Sequence, residues 1–159
     1  MDVNQNATSI EISVLRENME INLVGLIQTT IGFIPLLGKS DNGVILNVSS
    51  DTASNAYQAK PDAGLHFIAY ITVARRLLIH SYTIALAQEL KKDRIKVNAV
   101  TPGFTTSKIN LFMPGKKSLE DGALALVPFT LLDKNGPTGQ SSIGMEWSFR
   151  GNTIQKLYC

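Results

Sequence analysis

The sequence predicts an α/β domain on a partial parallel sheet, and three observations carry that prediction. A short apolar run without alternation, Gly43-Val44-Ile45-Leu46-Asn47-Val48, suits a strand covered on both faces, as parallel strands are. A long stretch of helical period follows it. A second run, Ile95 to Ala99, then ends at Thr101-Pro102-Gly103. Strand, long helix and strand make a βαβ unit, which is right-handed in nearly all cases and sets its two strands parallel.

The first element is a helix over about Ser13 to Ile34. Leu15, Met19, Leu23, Leu26 and Ile27 share one face, and Val24, Ile31 and Ile34 broaden it. Thr8 with Glu11 has capping-box spacing, Ser13 is a second cap, and Pro35 with Gly38 supplies the stop. Asp41-Asn42-Gly43 breaks the chain before the first strand, and residues 51–66, with Pro61 and Gly64, read as a loop. Helical period returns from Phe67 to about Lys92, with Ile71, Ala74, Leu78, Tyr82 and Ala85 on one stripe. Lys91-Lys92-Asp93-Arg94 closes it, where cations meet the negative end of the helix dipole. In the second strand Ile95, Val97 and Ala99 alternate with Lys96 and Asn98. Thr105 to Lys117 reads as a loop, Ser118-Leu119-Glu120-Asp121 caps a helix through Leu132, and a last strand is placed near Gly144 to Phe149.

Composition narrows the classes of function. With 159 residues, 44% hydrophobic and 18% charged, the chain is long enough to bury a core and reads as one soluble domain over 1–159. Fifteen basic and 13 acidic side chains leave a net charge of +2, without the concentrated basic face of a nucleic-acid binder. The one cysteine, Cys159, allows no disulfide within a chain. The start, MDVNQNATSIEI, lacks the basic and apolar regions of a signal peptide. By apolar run length no segment spans a bilayer, so the reading is cytoplasmic, with no membrane partner. His66 and His80 have no partners at metal-ligand spacing, so no metal site is read and both are taken as core or surface histidines.

In open α/β sheets ligands bind beyond the carboxyl ends of the strands. Ser49-Ser50 end the first strand, Thr101-Pro102-Gly103 end the second, and Tyr70 lies in the first turn of the helix between them. From the helix alone Tyr70 would be a core aromatic.

Four pieces in order, Asn22 in EINLVGLIQTT, Ser50 in GVILNVSS, Tyr70 in AYITVARRLLIHSYTIALAQEL, and IKVNAVTPGFTTSKI, resemble the short-chain dehydrogenases/reductases over about residues 11–134; the tail 135–159 diverges. No piece is decisive alone; the ordered set, each piece on its predicted element, is specific. The resemblance implies a partial Rossmann-like, doubly wound parallel sheet with flanking helices, and NADP- or NAD-dependent interconversion of a small-molecule carbonyl and alcohol. By the same resemblance Tyr70 is the general acid/base, Ser50 holds the substrate oxygen, and Asn22 supports a water-mediated proton path. The family's lysine, one turn after the tyrosine, binds the nicotinamide ribose and lowers the phenol pKa, since a cation favours the charged form. Here Ala74 stands at that spacing, while counting back from SYTIALAQEL puts the lysine position on Arg76. The two counts differ by two residues, a rotation of roughly 200° about a helix axis. Arg76 is therefore carried as a catalytic and ribose-binding position, beside the favoured reading of Arg75 and Arg76 as exposed helix residues. Pro102 and Gly103 match the turn beneath the nicotinamide, Thr105 and Ser107 match carboxamide or pyrophosphate contacts, and these last two read equally as exposed hydroxyls of an ordinary strand-end turn.

The rest of the family pattern is not present. No strand followed by a glycine-rich turn and helix precedes residue 11, nor does an Asn-Asn-Ala-Gly strand. The expectation is a compromised catalyst; a non-catalytic interaction protein and a piece of a longer active reductase stay open. Self-association is expected through helices 13–34 and 67–92, the pair through which the family dimerises. Segments 51–66 and 104–120 would shape a substrate pocket, and neither holds a diagnostic residue.

Overall fold

The computed structural model describes residues 7–50, 59, 70–108, 111–112, 114, 117–141, 146–150 and 153–157, with the side chains of 70–76, 146–150 and 153–157 outside that description. Two five-residue strands, β1 (Val44–Val48) and β2 (Lys96–Val100), pair in parallel, with Val44 opposite Lys96 and Val48 opposite Val100. The helix between them is α3 (Tyr70–Glu89). Strand, helix, strand and parallel pairing all stand as the sequence predicts, within three residues at the helix ends.

The first helix is longer than predicted. It runs as α1 (Ile12–Met19), a π-helical segment (Glu20–Val24) and α2 (Gly25–Leu37). Neither proposed cap is used: Glu11 takes the cap position and its side chain makes no capping bond. Pro35 sits inside the last turn instead of stopping the helix, which ends at Gly38. The continuous stretch Ile12–Leu37 has 26 residues and is long and apolar enough, by length and composition, to cross a membrane. That corrects the count made from run length, which the polar residues interrupt. Its C-terminal part is tied to the core, because Ile34 and Leu37 pack with Tyr82 and Ile45 on Leu86, Ala87, Leu90, Ile95 and Val97.

The opposite face of the sheet is covered by α4 (Leu119–Leu124) and α5 (Val127–Thr130), where Val44, Leu46 and Leu126 pack on Val100, Phe129 and Leu132. One helix was predicted over 118–132. Pro128 stands in the first turn of α5, where its missing N–H is harmless, whereas inside one long helix it would delete a bond. The predicted Ser118 cap is present, its hydroxyl accepting from Asp121 N at 3.1 Å.

Coverage on both faces explains why β2 is buried at all five residues despite its alternating sequence. Lys96 and Asn98 are buried with partners: the Lys96 ammonium donates to Asn42 Oδ1, and Asn98 bonds Pro137 O at 2.9 Å and Gln140 N at 3.0 Å. The Asn98 contacts lie in the tail. Gly139 N donates to Val97 O at 2.8 Å, Ala99 N to Gln140 O at 2.9 Å, and Ala99 bridges Ser141 in parallel. Residues 138–141 thus occupy a third strand position on the far edge of β2. The predicted last strand is β3 (Glu146–Arg150), paired antiparallel with an unforeseen β4 (Thr153–Leu157) and not with β1 or β2.

Candidate functional site

Parallel register brings the strand ends together. Ser49 N donates to Val100 O at 2.9 Å, so Ser49-Ser50 and Thr101-Pro102-Gly103 leave the sheet side by side. Helix α3 runs back antiparallel to the strands, so its first residue, Tyr70, lies at that same end of the unit. Ser50 is half-buried at the mouth. The side chains of Tyr70 and Arg76 fall outside the described residues, so their approach to Ser50 is a matter for experiment.

The turn after β2 is held by its own hydroxyls. Thr101 Oγ1 accepts from Gly103 N at 3.1 Å, and Thr105 Oγ1 donates to Gly103 O at 3.3 Å. Gly103 has φ +76°, a conformation that side chains disfavour. Lys117 closes over the turn: its backbone accepts from Thr106 N at 3.1 Å and its ammonium donates to Pro102 O at 3.2 Å. A Cβ on Gly103 would lie 3.2 Å from that Nζ. Sequence reasoning missed Lys117, since the cation arrives from 14 residues downstream of Gly103 and no spacing rule points to it. Gly122 of α4 lets the helix approach the turn, because a Cβ there would meet Thr105 Oγ1 at 2.6 Å. Ser107 is half-buried just beyond, its carbonyl accepting from Phe112 N at 2.8 Å.

Asn22 lies in the π segment, in one groove with Leu46 and Asn47 of β1, with Nδ2 donating to Asn18 O at 3.0 Å. Widened turns of this kind recur at functional sites, because they shift the helical carbonyls out of register.

His80, read from the sequence as a core or surface histidine without metal-ligand partners, belongs to the core. It is buried, and it has partners: Nε2 bonds the Ser49 hydroxyl and Nδ1 bonds the Ser141 hydroxyl. A neutral imidazole donates to one serine and accepts from the other. Burial lowers its pKa below 6.5, which suits the neutral form. The bridge ties the end of β1, helix α3 and the third strand position together directly beneath Ser50.

A turn with a positive-φ glycine and a nearby ammonium could hold the carboxamide end of a nicotinamide. Among the described residues no glycine-rich turn at a helix N-terminus is available for a pyrophosphate, so the fit is to one end of a dinucleotide only. No chemical step is routed through a cofactor here.

A parallel α/β unit whose hydroxyls and glycine turn gather at the strand ends has the architecture of part of a doubly wound α/β fold. The model of the short chain dehydrogenase family matches residues 1–114, and the chain belongs to that family. It is 25% identical to salutaridine reductase of Papaver somniferum over 169 aligned positions, covering 85% of this chain and 53% of that protein. It is 28% identical over 95 residues to bovine (Bos taurus) 17-beta-hydroxysteroid dehydrogenase type 6, covering 60% of this chain and 26% of that one. In structure it superposes on salutaridine reductase with a TM-score of 0.70 at 24% identity, over 84% of this chain and 56% of the other. A short chain dehydrogenase from Shigella flexneri 2a str. 301, complexed with NADP, gives 0.68 at 22%, over 86% and 55%. The chain spans about half the length of these solved relatives.

Proposed function

We propose that this chain is the substrate-side portion of an NAD(P)-dependent oxidoreductase interconverting a carbonyl and an alcohol, and that these 159 residues alone do not turn over. The observation that carries the second half is the regularity of α3. The helix is continuous from Tyr70 to Glu89, with no widened turn to absorb the two-residue slip. Position 74, one turn after Tyr70, is therefore alanine, and Arg76 lies roughly 240° around the axis from Tyr70. A free phenol titrates near pH 10, so without a neighbouring cation about one part in a thousand is phenolate at neutrality. Ser50 in this reading holds the substrate oxygen, Tyr70 exchanges its proton, and Asn22 connects that proton to water. The missing positioning of a dinucleotide adds to the defect, since hydride transfer needs the nicotinamide held at contact distance.

The test is NADPH oxidation by the purified chain with simple ketones and quinones. No turnover is expected, and Arg76→Lys should not create it. Turnover that disappears in Tyr70→Phe would overturn the compromised reading and make these residues an active enzyme or the working part of one.

A second reading, self-association through the two long helices of a cytoplasmic protein, is favoured by apolar side chains left open on both. Ile31 and Leu36 are 59% and 58% exposed on the first, Leu78 and Ile84 43% and 45% on the second. Exposed apolar side chains on both helices are the surface that such an association would cover. A dimer by sedimentation that Ile31→Glu or Ile84→Glu converts to monomer supports it; a monomer throughout ends it.

A further inference from the structure

Two successive residues in the loop after Ser107 hold left-handed backbone, Leu111 at φ +54° and Phe112 at φ +57°. Tight turns of that kind are ordinarily built from asparagine and glycine, because a bulky side chain at positive φ crowds its own backbone. The turn is pinned at both residues: Leu111 N donates to Lys108 O at 3.2 Å, and Phe112 N to Ser107 O at 2.8 Å. A bridge between Thr105 and Lys117 closes the base of the loop. The tip presents its two apolar side chains outward, Leu111 at 88% exposure and Phe112 at 66%. Packing within the fold therefore does not offset the strain, and strain of this sort concentrates at functional positions. Charge gathers at the same place. Residues 108–117, KINLFMPGKK, hold Lys108, Lys116 and Lys117 and no acidic residue, so the segment carries +3. The whole chain carries +2, which leaves all its other residues at −1 together. Glu120 and Asp121 come later, in the first turn of α4, where acidic side chains meet the positive end of a helix.

We infer that this loop tip docks on an anionic lipid surface, with Leu111 and Phe112 entering the headgroup region and the flanking lysines lying against the headgroups. Interfacial binding adds buried apolar area to attraction for anionic lipids, and the tip supplies both within ten residues of chain. A small apolar ligand fits less well, because such ligands are held in concave sites and these two side chains stand out from the surface. Lys108 and Lys117 are exposed, as contact with headgroups requires. Entry into one leaflet asks for no spanning segment, so the inference stands apart from the apolar helix Ile12–Leu37. It does not rest on the activity proposed above.

The test is cosedimentation of the purified chain with vesicles of phosphatidylcholine and phosphatidylserine in equal parts, read beside its thermal melt. The wild-type chain should bind, and less tightly as salt is raised, since ions screen exposed charges. Leu111→Ser combined with Phe112→Ser should weaken binding by at least about tenfold, and Lys108→Ala or Lys116→Ala by about fivefold each. Leu111→Gly separates docking from folding. Glycine takes positive φ without a steric penalty, so this variant should melt at or above the wild-type temperature while its vesicle affinity falls about threefold. No binding by the wild-type chain overturns the inference, as does equal affinity for pure phosphatidylcholine. Binding that the double-serine variant retains would assign the lipid contact to the helix Ile12–Leu37. A lower melting temperature for Leu111→Gly would place that side chain in the packing of the fold itself. A lipid-free oligomer that the double-serine variant dissociates would place the tip against a second copy. Each of these three results also overturns the inference.

Discussion

Replacing His80 by alanine should be among the costliest single changes outside the aliphatic core. The imidazole is 5% exposed and bonds two hydroxyls, Ser49 at 8% exposure and the half-buried Ser141. Without it, the Ser49 hydroxyl is left buried with no side-chain partner, which costs about 1–3 kcal/mol. Ser141 can turn to water and contributes less. Lost packing around the ring adds a further ~1–2 kcal/mol, from the cavity that partial collapse leaves. The sum, about 3 kcal/mol, is a large part of the ~5–15 kcal/mol that stabilises an ordinary domain. Urea unfolding followed by circular dichroism reads it directly, as a midpoint lowered by about 1–3 M at the slopes usual for small proteins. The pH dependence supplies a second check. Burial lowers the folded-state pKa below 6.5, so below that pH the unfolded chain binds a proton that the folded chain refuses. The stability this group contributes is complete above pH 6.5 and is lost as pH falls toward the folded value. Wild type should lose more stability than His80→Gln between neutral and mildly acidic pH. An alanine variant within about 0.5 kcal/mol of wild type would refute the bridge as a structural tie.

Two further substitutions probe packing at separate places. Gly122→Ala should destabilise by about 1–3 kcal/mol, since its Cβ would lie 2.6 Å from Thr105 Oγ1, and a melting temperature equal to wild type would contradict the close approach. Tyr82→Phe should be neutral or stabilising by up to ~1 kcal/mol. Among the described residues the Tyr82 hydroxyl is buried without a well-formed bond; the Thr30 hydroxyl beside it already donates to Leu26 O at 2.8 Å, so losing the Tyr82 hydroxyl strands nothing. A clear loss in urea midpoint would show an unseen bond.

Local pattern carried the parts of the fold that depend on neighbours in sequence. The β-branched run 44–48 and the helical stripe through Ile71, Leu78 and Tyr82 announced strand and helix, and their order announced a parallel pair. The site at the strand ends followed from that order, because Ser50 and Pro102-Gly103 terminate adjacent strands. What stayed hidden depends on distant partners. The alternation of Lys96 and Asn98 suggests a half-exposed strand, and only the tail at 137–140 and Asn42 explain why both are buried. The Ser49–His80–Ser141 bridge spans 31 and 61 residues of chain, beyond any spacing rule. Pro35 misled for a different reason: within the last turn of α2, its missing donor costs a single bond that packing of Ile34 and Leu37 offsets. The second hairpin strand had a signal in Gly151-Asn152, a dipeptide of two-residue turns, that went unused.

The claim at the centre of this account is that these residues carry the substrate end of a reductase without the means to hold its dinucleotide. Titrating the purified chain with NADPH, and separately with NADH, while following nicotinamide fluorescence tests that claim with no need to know the substrate. The amides that would cradle the pyrophosphate are missing from the described residues, and one turn with Lys117 beside it remains. A flat, non-saturating response through the micromolar range is the predicted result. A saturable response in that range, weakened by Lys117→Ala or Tyr70→Phe, would contradict it.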